Sequence, residues 1–339
     1  MARRPAGANL LDARIPGITT LQRGIRWRNC PHSRLVAAHC LSREPIWIKT
    51  ECRVFKDEDS IVATAGGESV GPVQLFAGLC YESICAVGDF ALFSMRVIQW
   101  TFVRLPNSHT LTASLYYVGV RSVPVIALTG TFIGMVLAVQ AYGQFSQMGM
   151  ETRLGSIINV SIIRELGPVL AATMLAGRVG SAMAAELGTM RLSEQIDALS
   201  CLGVDPIHYL VVPRFLACFL LIPLLTILAN AMGVLGGLLI STRLYHIDIH
   251  FYLAHSQNYV GLWDISTGLI KPMFFGAAIA LISCHRGFQS EGGSEGVGRA
   301  ATQAFVRSFI AILLIDFLLA IFLNMLHDRI WPRGAAKLF

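Results

Sequence analysis

The chain has 339 residues, of which 54% are hydrophobic and 14% are charged, and its mean hydropathy is +0.58. Soluble domains carry about 25% charged residues, so this composition argues against a water-soluble globule, a disordered chain and a coiled coil. The formal net charge is +6. Because the basic residues flank an apolar body, they favour contact with anionic lipid over binding to nucleic acid. The eight cysteines show no disulfide framework and are interpreted as mostly small hydrophobic residues.

Residues 1–80 are interpreted as an N-terminal extension that is either poorly ordered or a targeting presequence. Up to Arg43 this segment contains eight arginines and a single acidic residue, Asp12. Such a basic bias is typical of transit peptides, although serine is scarce here. A poorly ordered tail explains the same composition, so both alternatives stay open.

Residues 83–104 are apolar but are interrupted by Asp89, Arg96 and Arg104. The segment is too short and too charged for a comfortable membrane span, which needs about 20 mostly apolar residues. An amphipathic helix in the membrane interface, with Trp100 at headgroup depth, fits the pattern better.

Five later stretches are long and apolar enough to cross a bilayer core of roughly 30 Å. The second of them is marginal because it contains three charged residues. The predicted spans are Val123–Val139 extended by Leu115–Val120, Leu154–Met183, Leu216–Thr242, Ile265–Cys284 and Phe309–Leu326. The fold class is therefore an all-α integral membrane protein, with a transmembrane domain over 113–327 and a short C-terminal tail over 328–339.

The loop arginines place the N-terminus in the cytoplasm, although three basic residues of the tail oppose this orientation.

The second predicted span carries a stripe of small residues, one every four positions: Ala172, Ala176, Gly180, Ala184 and Gly188. Small residues let helix backbones approach closely in lipid. The stripe therefore predicts tight helix packing, either within the chain or between subunits.

The same span contains Arg164 and Glu165 before Pro168, and the fourth contains Lys271. A charge at the middle of a membrane costs about 2.5–3.5 kcal/mol on insertion scales, so it persists only when it is paired or faces water. One interpretation is a structural ion pair. The other is a polar cavity in which these residues contact the headgroup of an amphiphilic substrate.

Between the second and third spans, residues 191–203 predict a short amphipathic helix that ends at Gly203. Its apolar stripe consists of Leu192, Ile196, Leu199 and Leu202. Its polar flank consists of Glu194, Gln195 and Asp197. Such a helix lies either in the membrane interface or against a cytosolic partner. The partner is favoured because anionic lipid would repel the acidic flank.

The motifs for nucleotide binding and catalysis are missing from the sequence. None of its four lysines follows a glycine, which excludes a phosphate-binding loop. The membrane body has no catalytic nucleophile motif and no metal-binding pattern, so we expect neither an enzyme nor a metal or cofactor site. The glycine-rich segment Gly292–Arg299 is interpreted as a turn. Energy for any active process would have to come from another chain.

Several motifs occur in order along residues 83–326. They are Gly134-Met-Val-Leu-Ala138, Arg164-Glu-Leu-Gly-Pro168, Ala176-Gly-Arg-Val-Gly-Ser181, Ala185-Glu-Leu-Gly-Thr-Met190, Glu194-Gln-Ile-Asp-Ala-Leu199, Val212-Pro-Arg214 and Gly293-Ser-Glu-Gly-Val-Gly-Arg299. Together they resemble the MlaE/YrbE permease family, the membrane subunit of ABC-type lipid transporters that work with MCE-domain proteins.

The resemblance implies a homodimer of five-span subunits, each with an interfacial helix, resting on cytosolic ABC ATPases that bind ATP and Mg. It implies an MCE-domain partner, and a STAS-domain protein is a further candidate. The coupling helix would use Arg191, Glu194, Gln195, Asp197 and Leu199. The lipid path would include Arg164, Glu165, Lys271, Leu137, Phe145 and Met148.

The hypothesis is a non-catalytic permease that moves phospholipid or a similar lipid, in a bacterial inner membrane or, alternatively, in the inner membrane of a plastid envelope. The rival hypothesis is a stand-alone secondary transporter or channel. Its relay would consist of Arg164, Glu165, Lys271 and Asp316.

Overall fold

The computed structural model describes residues 72–104, 106–147, 149 and 154–330. All regular elements within these ranges are helical. The predicted extension over 1–80 falls almost wholly outside the described residues, as do Met148 and the tail from residue 331.

The α-helices are α1 (Pro72–Val103), α2 (Ser108–Val118), α3 (Val123–Gln147), α4 (Leu154–Ser161), α5 (Gly167–Leu175), α6 (Ser181–Leu192), α7 (Gln195–Cys201), α8 (Val212–Arg243), α9 (Ile249–Tyr259), α10 (Leu262–Phe288) and α11 (Gly293–Ile330). The 3₁₀ turn Val120–Ser122 joins α2 to α3. The π turn Ile162–Leu166 joins α4 to α5, and the π turn Ala176–Gly180 joins α5 to α6. A third π turn, Ile207–Val211, precedes α8.

Five continuous helical stretches are long and apolar enough to cross a membrane, which confirms the predicted fold class. The first to fifth spans are Ser108–Gln147, Leu154–Leu192, Ile207–Arg243, Leu262–Phe288 and Gly293–Arg329. Each is longer than predicted because hydropathy marks the part inside the bilayer core, whereas helical hydrogen bonding continues into the polar flanks. We call the two ends of the bundle the α7 end and the α9 end, after the helices that connect the spans there.

The glycine-rich segment Gly292–Arg299 is not a turn throughout, so that interpretation is wrong. Only its first two residues have the left-handed backbone that a turn requires, with φ of +93° at Gly292 and +74° at Gly293. The remaining residues continue as α11. A glycine inside a helix costs about 1 kcal/mol relative to alanine, which the long apolar helix that follows can offset.

Helix α1 covers the predicted interfacial segment but begins at Pro72, before its expected start. It is not among the five candidate spans. One face packs on the bundle at the α7 end, where the Phe93 ring lies 5.3 Å from the His285 ring, centroid to centroid. Apolar residues elsewhere on the helix, such as Val87 and Phe102, are exposed.

The first and third spans cross with their backbones in contact. A methyl group added to Gly134 would overlap the carbonyl oxygen of Gly233, and one added to Gly130 would lie 2.6 Å from the carbonyl oxygen of Ala229. Only glycine allows so close an approach, which maximises dispersion contacts in a setting where lipid supplies no hydrophobic drive.

All five residues of the small-residue stripe are buried. From Gly180 to Gly188 the stripe faces the fourth and fifth spans of the same chain, and a methyl group added to Gly188 would lie 3.4 Å from Val297 Cγ1 of the fifth span. A methyl group on Gly180 would lie 2.8 Å from Ser283 Oγ, and one on Gly287 would lie 2.7 Å from Leu187 Cβ. The stripe therefore packs within the chain in this structure.

Helix α9 is attached to the start of the second span by buried polar contacts. The Tyr252 hydroxyl donates to Asn159 Oδ1 at 3.2 Å, and Asn159 Nδ2 donates to Ser256 Oγ at 2.8 Å. Burial raises the pKa of Tyr252 to about 12, although the hydrogen bond with Asn159 opposes this rise. The phenol therefore stays protonated at physiological pH and remains a donor.

We expect Gly134→Ala to destabilise the protein by about 1–3 kcal/mol, because the added methyl group would force the first and third spans apart. Gly143→Ala in the same helix is the matched control, since a methyl group at Gly143 meets no atom within 4 Å. Thermal unfolding of both variants in detergent measures the difference. Equal melting temperatures would show that this backbone contact contributes nothing to stability.

Candidate functional site

A cluster of charged side chains lies between the second, fourth and fifth spans, with Lys271 at its centre. The Lys271 side chain is almost fully buried, and its Nζ lies 2.5 Å from Glu165 Oε2 and 3.1 Å from Asp316 Oδ1. An unpaired ammonium would be strongly destabilised in a low-dielectric interior. The two carboxylates therefore allow Lys271 to remain charged there, and the ion pairs join three spans.

Arg164 extends the cluster toward the α9 end. Its Nε lies 3.8 Å from Glu165 Oε1, and its Nη1 lies 3.8 Å from Asp264 Oδ1. Its Nη2 donates a hydrogen bond to Asn324 Oδ1. The structure thus brings together Arg164, Glu165 and Lys271, which were predicted for the lipid path. It also places Asp316, which was predicted only for the secondary-transporter alternative, in the same cluster.

Asp264 and Asn324 were not predicted as site residues. Helical spacing offered a signal for both, since Asp264 precedes Lys271 by seven residues and Asn324 follows Asp316 by eight, which places each pair on one helix face. Asp264 also accepts a hydrogen bond from the backbone N–H of Gly261 at 3.1 Å. Asp264 therefore caps the start of the fourth span and also contributes to the cluster.

The π turn Ile162–Leu166 presents Arg164 and Glu165 side by side. The proline at 168 lacks an N–H, and in a regular α-helix its ring would clash with the carbonyl four residues earlier, that of Arg164. The wider turn avoids this clash, and the N–H of Gly167 donates to the carbonyl of Ile162. Single π turns within α-helices are frequent at functional sites.

Part of the cluster is accessible, although it lies inside the span. The side chains of Arg164 and Glu165 are 34% and 43% exposed. Arg164 is ten residues from the start of the second span, about 15 Å along the helix. Charged groups at that depth are not tolerated against lipid chains, so the open side must face water, a polar ligand or another protein surface.

The other residues predicted for the lipid path lie in an adjacent apolar cluster. Leu137 and Phe145 of the first span pack around Leu154, Ile158 and Ile162. Their described contacts are with these aliphatic side chains rather than with the ion pairs. Ile162 links the two regions because it begins the π turn that carries Arg164 and Glu165.

The predicted coupling segment forms a compact projection at the α7 end. Helix α7 begins at Gln195, after Glu194 with a left-handed φ of 56°. Arg191 Nη1 bonds Asp197 Oδ1 at 2.6 Å, which joins the end of the second span to α7. Leu199 is half-buried.

The apolar stripe of this segment is divided by the structure. Ile196 is buried, whereas Leu192 and Leu202 are exposed together with Glu194 and Gln195. A surface that presents exposed leucines beside acidic and polar groups is typical of a protein contact.

Known proteins match this chain in sequence. The family model described as Permease MlaE matches residues 111–322. A probable ABC transporter permease protein of Synechocystis is 44% identical over 214 residues, 63% of this chain and 81% of the relative. One of Rickettsia felis is 42% identical over 235 residues, 69% of this chain and 90% of the relative.

A plant protein is also similar to this chain. Protein TRIGALACTOSYLDIACYLGLYCEROL 1, chloroplastic, of Arabidopsis thaliana is 41% identical over 204 residues, 60% of this chain and 58% of the relative. Because the family model covers well over half of the sequence and bacterial relatives exceed 40% identity across most of their length, the chain belongs to the MlaE permease family.

Proposed function

We propose that this chain is the non-catalytic permease subunit of an ABC-type transporter that moves phospholipid or a similar lipid between the inner membrane and an MCE-domain partner. A separate ATPase would supply the energy. The observation that supports this proposal most directly is the ion-pair cluster, in which buried Lys271 lies between Glu165 and Asp316. Arg164 and Glu165 of this cluster are partly accessible. The name of the Arabidopsis relative, which is that of a galactolipid, supports a lipid substrate.

The geometry of the cluster suits the two chemical parts of a lipid. Arg164 and Glu165 offer a guanidinium and a carboxylate, which can bind the phosphate and the cationic group of a zwitterionic headgroup. Leu137 and Phe145 offer an adjoining apolar wall for acyl chains. In a homodimer, the second subunit would close the open side of the cluster.

Coupling to the ATPase would use the projection at the α7 end. Arg191, Glu194, Gln195, Asp197 and Leu199 form or support this projection. Because Arg191 and Asp197 tie α7 to the second span, a push on α7 would be transmitted into the helix that carries Arg164 and Glu165. We place the assembly in a bacterial inner membrane, with a plastid envelope as the alternative.

We expect Glu165→Gln to preserve folding and ATPase binding but to slow lipid transfer about tenfold, equivalent to about 1.4 kcal/mol. The substitution removes a charge from the accessible side while Lys271 retains Asp316 at 3.1 Å. The rate is measured with a fluorescent phospholipid in vesicles that contain the permease, its ATPase and the MCE partner, with ATP.

Glu295→Gln is the matched control, because Glu295 is an exposed carboxylate of the fifth span and should give the wild-type rate. An unchanged rate for Glu165→Gln would remove this residue from the lipid path. Loss of folding would assign the cluster a structural role alone. Transport in the absence of ATPase and nucleotide would favour a stand-alone secondary transporter instead.

We expect Glu194→Lys to weaken ATPase association at least tenfold while the chain still inserts in the membrane. The Glu194 side chain is exposed, so charge reversal alters the contact surface without disturbing the core. Co-purification of the ATPase with the tagged permease measures the effect. Asp197→Lys should weaken association by at least as much, but it additionally breaks the ion pair with Arg191.

Arg329→Glu, a charge reversal near the end of the fifth span, provides the control and should leave the complex intact. Wild-type recovery of the ATPase with Glu194→Lys would contradict the coupling assignment. This outcome would not affect the lipid-path proposal, which rests on other residues.

A further inference from the structure

Both π turns of the second span carry an arginine at their third position. Arg164 occupies this position in Ile162–Leu166, and Arg178 occupies it in Ala176–Gly180. The two arginines are 14 residues apart, close to four helical turns, which places them toward the same face of the helix. Single π turns are frequent at functional sites. Arg178 takes no part in the cluster around Lys271, so its function is still to be explained.

Arg178 is half-buried and has no carboxylate partner among the described residues. Its Nη1 donates to the hydroxyl group of Ser122 in the first span, which is a neutral acceptor. Its Nε and Nη2 have no hydrogen-bond partner in the described part of the chain and are not fully buried. These two nitrogens form one edge of the guanidinium, which is suited to bidentate contact with a phosphate. A cation inside a span requires a partner, so the open edge indicates an anionic ligand.

The neighbouring spans add positive charge and no nearby carboxylate. Arg121 of the first span and Arg307 of the fifth span are both exposed. No acidic residue occurs within seven positions of Arg121, Arg178 or Arg307. Glu186, the next acidic residue along the second span, is already engaged, because its Oε2 lies 3.0 Å from Arg214 Nη2. The local excess of positive charge favours an anion.

The fourth span gives the depth of Arg178 in the bilayer. This span has 27 residues, about 40 Å, which matches the roughly 40–45 Å of a bilayer with its headgroups. Gly180 of the second span lies beside Ser283, five residues before the fourth span ends at Phe288. Arg178 is two residues farther in, and therefore about 10 Å below the α7 end of the fourth span. That depth is close to the boundary between headgroups and hydrocarbon, which the phosphate of a lipid in this leaflet can approach.

The side chains that lie deeper than Arg178 are apolar and partly exposed. Met174, one turn farther into the membrane on the second span, is exposed. On the fifth span, the ring of Phe305 lies beside Gly177, where an added methyl group would be 3.4 Å from Phe305 Cε2. Phe309 follows one turn deeper and is also exposed. Acyl chains that extend toward the bilayer centre would contact these side chains, whereas a free phosphate would leave them uncovered. The arrangement therefore favours a lipid.

We propose that Arg178 binds the phosphate of an anionic lipid headgroup from the leaflet at the α7 end. The phosphate accepts hydrogen bonds from Nε and Nη2, while Nη1 remains bonded to Ser122. Arg121 strengthens binding through its charge. The proposal depends on the spans and on the second π turn, and not on lipid transfer by the cluster around Lys271.

The test is a lipid titration of the purified full chain in detergent, followed by native mass spectrometry. The probes are phosphatidylglycerol, diacylglycerol with the same acyl chains, and inorganic phosphate. We expect Arg178→Gln to weaken phosphatidylglycerol binding about tenfold, through the loss of charge-assisted hydrogen bonds. Arg178→Lys retains the charge and should retain most of the affinity. Diacylglycerol binding should be weak and the same in every variant.

Two further variants separate ligand binding from a merely structural arginine. Ser122→Ala removes the neutral acceptor and leaves Arg178 charged, so it should not weaken phosphatidylglycerol binding. Arg121→Gln should weaken binding about threefold through the lost charge. Because Arg121 is exposed, this variant keeps the core intact and decides the test if Arg178→Gln fails to fold. Arg299→Gln is the matched control, since Arg299 is exposed and lies 3.7 Å from Glu295, and it should bind like wild type.

Equal binding of phosphatidylglycerol by wild type, Arg178→Gln and Arg121→Gln would overturn the proposal. Equal weakening by Ser122→Ala and Arg178→Gln would assign Arg178 a structural role and would overturn it as well. Competition by millimolar inorganic phosphate, with no preference for the lipid, would assign the site to a soluble phosphate and would overturn the lipid assignment. A preference for phosphatidylglycerol that inorganic phosphate does not displace supports it.

Discussion

The structure depends on one buried ion-pair arrangement, in which the ammonium of Lys271 is held between carboxylates of two other spans. Removing Lys271, or both of its carboxylate partners together, would leave an uncompensated charge in a low-dielectric interior, which generally costs about 3–5 kcal/mol. The second, fourth and fifth spans are therefore constrained to keep their relative register. Such an arrangement is costly to bury compared with apolar packing of similar volume.

The spans and the centre of the cluster could be predicted from the sequence, because long apolar runs and the charges within them are both visible there. Helix ends could not be placed, since hydropathy does not distinguish the end of a helix from the end of the bilayer core. Asp264 was missed because an acidic residue at the start of a helix also has a local role as a cap. The Arg214–Glu186 pair depends on how the second and third spans cross, and spacing within one helix carries no information about that.

Two polar sites of the bundle, the cluster around Lys271 and the Arg214–Glu186 ion pair, lie toward opposite ends. The cluster around Lys271 lies in the α9 half, and both of its cations, Arg164 and Lys271, have carboxylate partners. The Arg214–Glu186 ion pair lies close to the α7 end and lines a cavity there. The second span contributes to both, with Glu165 in one site and Glu186 in the other. This single helix also leads directly into α7, so it is the physical connection between the two sites and the exposed projection.

The backbone contact between Gly134 and Gly233 has a mechanical consequence. Where main chain meets main chain, no side-chain rotamer can adjust to absorb displacement, so the first and third spans must move together as one rigid body. Flexibility has to come from elsewhere, and the second span contains two π turns, Ile162–Leu166 and Ala176–Gly180. Migration of a π turn by one residue turns the residue over which it moves by about 100° around the helix axis without breaking the helix. Such a step at either turn would redirect single side chains beside the charges while the rest of the bundle keeps its packing.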